Sequence, residues 1–197
     1  MGNYNFLITG VGGQGTVLAS DIMAAVGLAA GYDVKKSDIL GLAVRGGAVV
    51  GHVRWGEHVY SPIVPEGRAD YLIAFEALEG LRWLNQMQPQ GTVLINEQEI
   101  HPVTVSSGMA NYPDGETIDH ALRAAAAHVY RVPGLRIAQE QGNTRVVNAV
   151  LLGAVSALLP VKAKVWADVV KERVPSRFAE LNLRAFAKGR EWIQERR

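Results

Sequence analysis

The sequence predicts an α/β fold: a Rossmann-like, three-layer arrangement with a mainly parallel sheet and one antiparallel hairpin. Three observations predict it. Short apolar runs rich in β-branched and aromatic residues alternate with stretches of helical character, as crossover connections require. The first run, Tyr4–Thr9, feeds a glycine-rich segment that opens directly into an apolar helical stretch. Gly56-Glu57 stands between two strand-like runs and has the form of a two-residue hairpin turn.

Taken in order, Tyr4–Thr9 reads as a buried first strand and Gly10–Gly15 as a loop. Thr16–Ala30 reads as a helix that is apolar on nearly every side, with Asp21 its one charge and Gly31 placed to end it in a left-handed conformation. A second strand is expected around Asp33–Lys36, followed by the loop Gly41–Gly47. Val49–Trp55 and His58–Ile63 then form the expected hairpin, with Trp55 opposite His58, Val53 opposite Tyr60, and His52 opposite Ser61 on the other face. Tyr71–Phe75 is a third apolar run, followed by a helix over Ala77–Leu84. A strand over Thr92–Asn96 follows a Pro89-Gln90-Gly91 turn. Glu116–Ala127 reads as helix, Val129–Val132 as a short strand, Thr144–Leu159 as a long apolar helix, and Ser176–Gln194 as the last helix. With no internal repeat, low-complexity stretch or linker, residues 1–197 read as one domain.

Composition narrows the function. The chain has 20 Lys+Arg against 19 Asp+Glu and no cysteine. Without cysteine there is no disulfide framework, no thiolate zinc site, no cysteine nucleophile, and no cysteine-ligated iron–sulfur cluster carried by this chain alone. A formal net charge of +1, with no basic block, gives no footprint for a nucleic-acid or anionic-membrane partner. The first six residues lack a basic region, and Phe6 stands where a myristoylation signal needs Ser or Thr. The most apolar stretch, Val146–Leu159, is shorter than the ~18–20 residues of a membrane span. A cytoplasmic protein with no membrane partner is expected.

Gly10-Val11-Gly12-Gly13-Gln14-Gly15 fits G-x-G-x-x-G between a strand and a helix. Glycines there allow close backbone approach, and the free N–H groups opening the helix attract an anion. A dinucleotide site also needs an acidic residue roughly 20 positions on to hold the ribose. Asp38, 23 positions beyond Gly15, is the candidate. Yet a second glycine-rich loop and a hairpin follow Asp38 in place of a crossover helix. Three readings stay open: a dinucleotide loop, a tight turn needing glycine only for packing, and a loop facing a partner subunit or a shared ligand.

Arg45-Gly46-Gly47 places a guanidinium beside two flexible amides, which suits a phosphate, a carboxylate or a partner's acidic side chain. If the first two strands are adjacent and parallel, both loops emerge at the carboxyl edge of the sheet, where open α/β sheets bind ligands. The five histidines are scattered, with no i, i+4 pair on a helix, so no metal site is expected. No G-x-S-x-G elbow exists, no general base stands beside a nucleophile, and no catalytic residue is assigned. Asn143 is placed as a helix N-cap. Asn148, inside an apolar helix, is expected to fasten a neighbouring loop or to meet a ligand. The last helix carries a stripe of Phe178, Leu181, Ala185 and Trp192, with Asn182 and Gly189 beside it, read as a packing face.

Taken together, several motifs resemble the gamma-type domain of 2-oxoacid:ferredoxin oxidoreductases. They are GVGGQG, the S-D-x-x-G-x-x-x-R-G-G run from Ser37 to Gly47, H-V-R-W-G (His52–Gly56) and Y-S-P-I-V-P (Tyr60–Pro65). A-D-Y-L-I-A-F-E-A-L-E (Ala69–Glu79), N-Y-P (Asn111–Pro113), G-N-T-R-V-V-N-A-V-L-L-G (Gly142–Gly153) and E-L-N-L-R-A-F-A-K-G (Glu180–Gly189) extend the likeness along nearly the whole chain. The version most resembled is the small beta subunit of indolepyruvate:ferredoxin oxidoreductases.

The resemblance implies a non-catalytic or site-completing subunit, inactive alone. Its partner would be a larger chain bearing thiamine diphosphate and iron–sulfur clusters, with coenzyme A as acyl acceptor and ferredoxin as electron acceptor of the complex. No cofactor is expected to be firmly bound by this chain itself. The implied substrates are aryl pyruvates, decarboxylated oxidatively to arylacetyl-CoA. The residues implied to face a cofactor are Gly10, Gly12, Gly13, Gln14 and Gly15 in the first loop and Arg45, Gly46 and Gly47 in the second. Two positions depart from the family pattern: Leu40, commonly polar or aromatic, and Ala48, commonly Ser. The alternative reading is a stand-alone Rossmann-like dinucleotide-binding module.

Overall fold

The computed structural model describes residues 2–41 and 46–197. The strands are β1 (Tyr4–Val11), β2 (Asp33–Leu40), β3 (Ala48–Gly56), β4 (Ala69–Ala74), β5 (Met87–Asn96) and β6 (His128–Val132). The helices are α1 (Thr16–Ala29), α2 (Ala77–Leu81), α3 (Val103–Ser106), α4 (Gly115–Ala125), α5 (Gly134–Glu140), α6 (Val147–Ser156), α7 (Ala163–Arg173) and α8 (Ala179–Gln194). Among the described residues the strands form one mixed sheet in the order β2-β3-β1-β4-β5-β6. β1, β4, β5 and β6 pair in parallel, whereas β3 is antiparallel to both of its neighbours.

The antiparallel hairpin exists, but its partner strand differs from the expected one. β3 pairs back onto β2, in the register Asp33↔Gly56 to Leu40↔Val49, and on its other side onto β1. Both edges of β3 are therefore filled, and His58–Ile63 has no edge to join. Pro62 and Pro65 further disfavour a strand there, since proline fixes φ and donates no hydrogen bond. Residues 57–68 instead form an irregular segment pinned to β3. The Val64 N–H donates to His52 Nδ1 at 3.2 Å, and Arg54 Nη1 donates to the Ser61 carbonyl at 3.0 Å. β2 also runs four residues beyond the expected Lys36, to Leu40. It is an outer strand, and its charged Asp33, Lys35 and Lys36 suit an unpaired edge.

The sheet separates two cores. One face meets α1 and the later helices through Phe6, Ile8, Val53, Trp55, Ile73 and Leu94. The other meets α2 and α4 through Leu7, Val50, Leu72, Val93, Ile118 and Leu122. The expected apolar helix is a 3₁₀ turn, Thr144–Val146, followed by α6, and every residue of α6 is buried. Asn143 caps that turn by accepting from Arg145 N at 2.9 Å, and Gly31 ends α1 at φ 87° as expected.

α6 crosses α8 where two glycines meet. A Cβ on Gly153 would stand 1.9 Å from the Phe186 carbonyl oxygen, and one on Gly189 would stand 1.9 Å from that of Val150. The buried stripe of α8 is accordingly Asn182, Ala185, Phe186, Gly189 and Ile193. The expected stripe is rotated: Phe178 is exposed, while Leu181 and Trp192 are only half-buried. Backbone contact, which needs small residues, takes the place of the large side chains there. No helix among the described residues is long and apolar enough to cross a membrane.

Candidate functional site

The carboxyl edge of β1 brings the two glycine segments together. β1 ends at Val11, opposite Ala48 of β3, and β2 ends at Leu40, opposite Val49. Gly12 N donates to the Gly47 carbonyl at 2.8 Å, and Gly46 N donates to the Gly12 carbonyl at 3.3 Å. The expected neighbourhood of the two loops is thus a direct backbone junction, although β3 lies between β1 and β2. Arg45 lies outside the described residues.

The glycines are needed for two different reasons. Gly10 belongs to β1, not to the loop, and a Cβ on it would fall 2.8 Å from both Phe75 Cβ and Thr16 Oγ1. Gly13, at φ 105°, faces open space, and Gly15, at φ 84°, precedes α1 in a left-handed conformation. The first turn of α1 has neither a side-chain cap nor an acidic residue. Its N–H groups and the positive end of its dipole therefore stay available to an anion.

Gln14 is held by the protein itself. Its Oε1 accepts from Val11 N at 2.8 Å, and its Nε2 donates to the Phe75 carbonyl at 2.9 Å and to Gln98 Oε1 at 3.2 Å. It ties the glycine loop to the ends of β4 and β5. Asp38 is likewise committed inward. Ser20 Oγ donates to its Oδ1 at 2.7 Å, and Lys36 Nζ lies 2.7 Å from its Oδ2. The acidic residue that a ribose would need is engaged behind the sheet's edge, and the dinucleotide reading loses its second anchor.

Two cavities flank the loop. One, of about 420 Å³, has Val11, Val17, Leu40 and Val49 among its lining residues, with Gly12, Gly13 and Gly15. The other, of about 610 Å³, is lined by Gly13, Gln14, Gly15, Leu18, Gln98, Leu135, Gln139, Thr144, Arg145, Val147 and Asn148. Among the described residues no Asp or Glu lines either. Asn148, 5% exposed, rests against Gly15; its Oδ1 accepts from Ala149 N at 2.9 Å. Among the described residues its Nδ2 has no hydrogen-bond partner, so it touches the glycine loop without bonding to it.

Sequence reading assigned nothing to a third cluster nearby. Glu76, 1% exposed, caps α2 by accepting from Glu79 N at 2.8 Å. Its Oε1 accepts from Ile100 N at 3.1 Å and from the Tyr112 hydroxyl. Burial and the Glu76 carboxylate hold the Tyr112 phenol far above its ordinary range. Glu76 and Tyr112 fall within two of the quoted motifs, and their role is to fasten residues 97–114 beside the carboxyl edge. Burial also raises the Glu79 carboxyl, against the opposing effect of Arg82. Among the described residues no group of three or more His, Asp or Glu side chains could hold a metal ion.

Residues 5–192 match the model of the pyruvate ferredoxin/flavodoxin oxidoreductase family. The chain belongs to this family. It is 37% identical over 195 residues to the indolepyruvate oxidoreductase subunit IorB of Thermococcus kodakarensis, covering 96% of this chain and 95% of that one. The gamma subunit of a keto/oxoacid ferredoxin oxidoreductase from Geobacter sulfurreducens superposes with a TM-score of 0.72 at 25% identity, covering 98% and 99%. The 2-oxoglutarate:ferredoxin oxidoreductase of Magnetococcus marinus, solved with 2-oxoglutarate, coenzyme A and succinyl-CoA bound, shares the fold with a TM-score of 0.77 at 20% identity. This chain spans 32% of that one. Leu40, 61% exposed, lines the first cavity, and Ala48 pairs with Val11 beside it. Both side chains are apolar.

Proposed function

We propose that this chain is the small, non-catalytic subunit of a 2-oxoacid:ferredoxin oxidoreductase of the indolepyruvate type, that residues 1–197 act as one domain, and that the joined glycine loops complete the coenzyme A site of the assembled enzyme. The observation that carries this reading is the backbone junction of Gly12 with Gly46 and Gly47 at the carboxyl edge, beside an uncapped helix N-terminus. Gly10, Gly12, Gly13, Gln14, Gly15, Gly46 and Gly47 form or brace that edge, and Arg45 is assigned to the same site by its motif. The residues fit a phosphorylated ligand: the second cavity has Arg145 and the spare Asn148 Nδ2 for oxyanions beside Gly13 and Gly15 of the loop, and among the described residues no Asp or Glu lines it to repel them.

The chain has no cysteine, so cluster ligation falls to another polypeptide. Thiamine diphosphate, held by that partner, would supply the carbanion chemistry that decarboxylates the oxoacid. The apolar first cavity and the exposed Ile39 and Leu40 beside it suit contact with that larger chain. Ferredoxin takes electrons from the complex, and the cytoplasm is where such a chain would work.

Kinetics of the assembled enzyme test this. Gly13→Val, which strains the loop backbone at φ 105° as well as filling the open space above it, and Arg45→Gln are expected to raise KM for coenzyme A about tenfold, with the half-reaction that decarboxylates the oxoacid unchanged. Unaltered KM in both variants, or loss of assembly in Arg45→Gln, would remove the loops from the ligand and leave them an interface role.

A further inference from the structure

Three side-chain amides converge where β4, β5 and the glycine loop end, and two fixed backbone donors set the orientation of all three. Gly134 N donates to Asn96 Oδ1 at 3.1 Å, which makes Asn96 Nδ2 the donor to the Phe75 carbonyl, at 3.0 Å, and to Gln98 Oε1, at 3.2 Å. Val11 N donates to Gln14 Oε1, which makes Gln14 Nε2 the second donor to Gln98 Oε1. Gln98 Oε1 thus accepts twice. The Gln98 amide cannot be turned round, because a flip would set three NH₂ groups against one another. Among the described residues Gln98 Nε2 has no partner, and Gln98 lines the larger cavity with Gly13, Gly15, Arg145 and Asn148. Asn148, buried and with its own Nδ2 unpartnered, opens into the same space.

From this geometry we infer that Gln98 is a specificity-determining residue of the site, its Nε2 donating a hydrogen bond to an oxyanion or carbonyl oxygen of the bound ligand. This rests on the reading that the cavity takes a phosphorylated acyl acceptor. Gln14 and Asn96 are positioning residues in this scheme. They spend their own hydrogen bonds on the backbone and on Gln98 Oε1, and so force its NH₂ toward the ligand. A ligand rich in acceptors is thereby selected, and one presenting donors is rejected because the Gln98 and Asn148 amides would be left unpaired.

Gln98→Glu separates this role from a structural one. One carboxylate oxygen can still accept from Gln14 and Asn96, while the other turns an anionic acceptor into the cavity where a donor stood. Coenzyme A binding to the assembled enzyme, with oxoacid omitted, is to be measured by calorimetry alongside the melting temperature. The expected result is a Kd raised at least about tenfold at pH 8 with the melting temperature unchanged. The ratio of variant to wild-type Kd should shrink as the pH is lowered and the new carboxyl regains a proton to donate. Gln98→Met, which loses both functions, should raise the Kd and lower the melting temperature, and it serves if Gln98→Glu does not assemble. A wild-type Kd in Gln98→Glu or Gln98→Met, while Gly13→Val binds weakly, overturns the role of Gln98 and leaves the loop reading standing. A wild-type Kd in all of these variants overturns both.

Discussion

His52 shows how a single buried side chain holds an irregular segment in place. Only 3% exposed on β3, it accepts the Val64 N–H through Nδ1, which requires the neutral ring. Burial pushes its pKa below 6.5, outweighing the opposing pull of the Asp38 carboxylate, and Trp83 meets the ring edge-on. The unfolded chain therefore takes up a proton at a higher pH than the folded one. The stabilisation is complete above about pH 6.5 and is lost as the pH falls from there through the lowered native value. His52→Asn keeps an acceptor near the Nδ1 position and does not titrate. Between pH 8 and 5 the melting temperature of the wild type should fall more steeply than that of His52→Asn; parallel curves would show that His52 does not carry this dependence. Elsewhere at this scale, Asp38 has the right chemical type and a passable spacing for a ribose, yet spacing along the chain carries no record of which neighbour already holds a carboxylate. Gln98 gave no sequence signal at all, because its importance arises from Gly134 and Val11, which are remote from it in sequence.

Among the elements, β3 and the α6–α8 pair carry most of what the sequence did not reveal. Strand and helix types along β1, α1 and β4 followed from apolar periodicity and the glycine stops. The pairing of β3 did not, since a run buried on both faces looks the same whether its partners precede or follow it. The short helices α3 and α5 and the more polar α7 lack the long apolar repeat that reveals a helix, and they take their stability from packing. The α6–α8 crossing is a backbone contact, so it left only isolated glycines as its trace. Gly153→Ala or Gly189→Ala must drive the two helices apart, which should cost about 3 kcal/mol or more by chemical denaturation, at the upper end for overpacking. The double variant should cost less than the sum, since one separation relieves both clashes. Losses under about 0.5 kcal/mol would mean that the helices slide freely past each other, contrary to this packing.

On the scale of the whole molecule, the fold supplies an edge at which two glycine segments meet. The carboxyl edge gathers donors, glycines and an unused helix dipole, whereas the chain contributes no cysteine and, among the described residues, no metal-binding cluster. The glycine motif alone could not distinguish a nucleotide loop from a brace. The chain-long series of motifs identified the family, and only the fold showed that Gly12 and Gly47 are bonded to each other. The deciding experiment titrates this purified chain into the larger, cluster-bearing subunit proposed as its partner and follows ferredoxin reduction with indolepyruvate and coenzyme A. This chain alone should give no reduction, and coenzyme A-dependent turnover should rise to a plateau at a fixed stoichiometry. Full turnover by the partner without this chain, or ferredoxin reduction by this chain unaided, would contradict it.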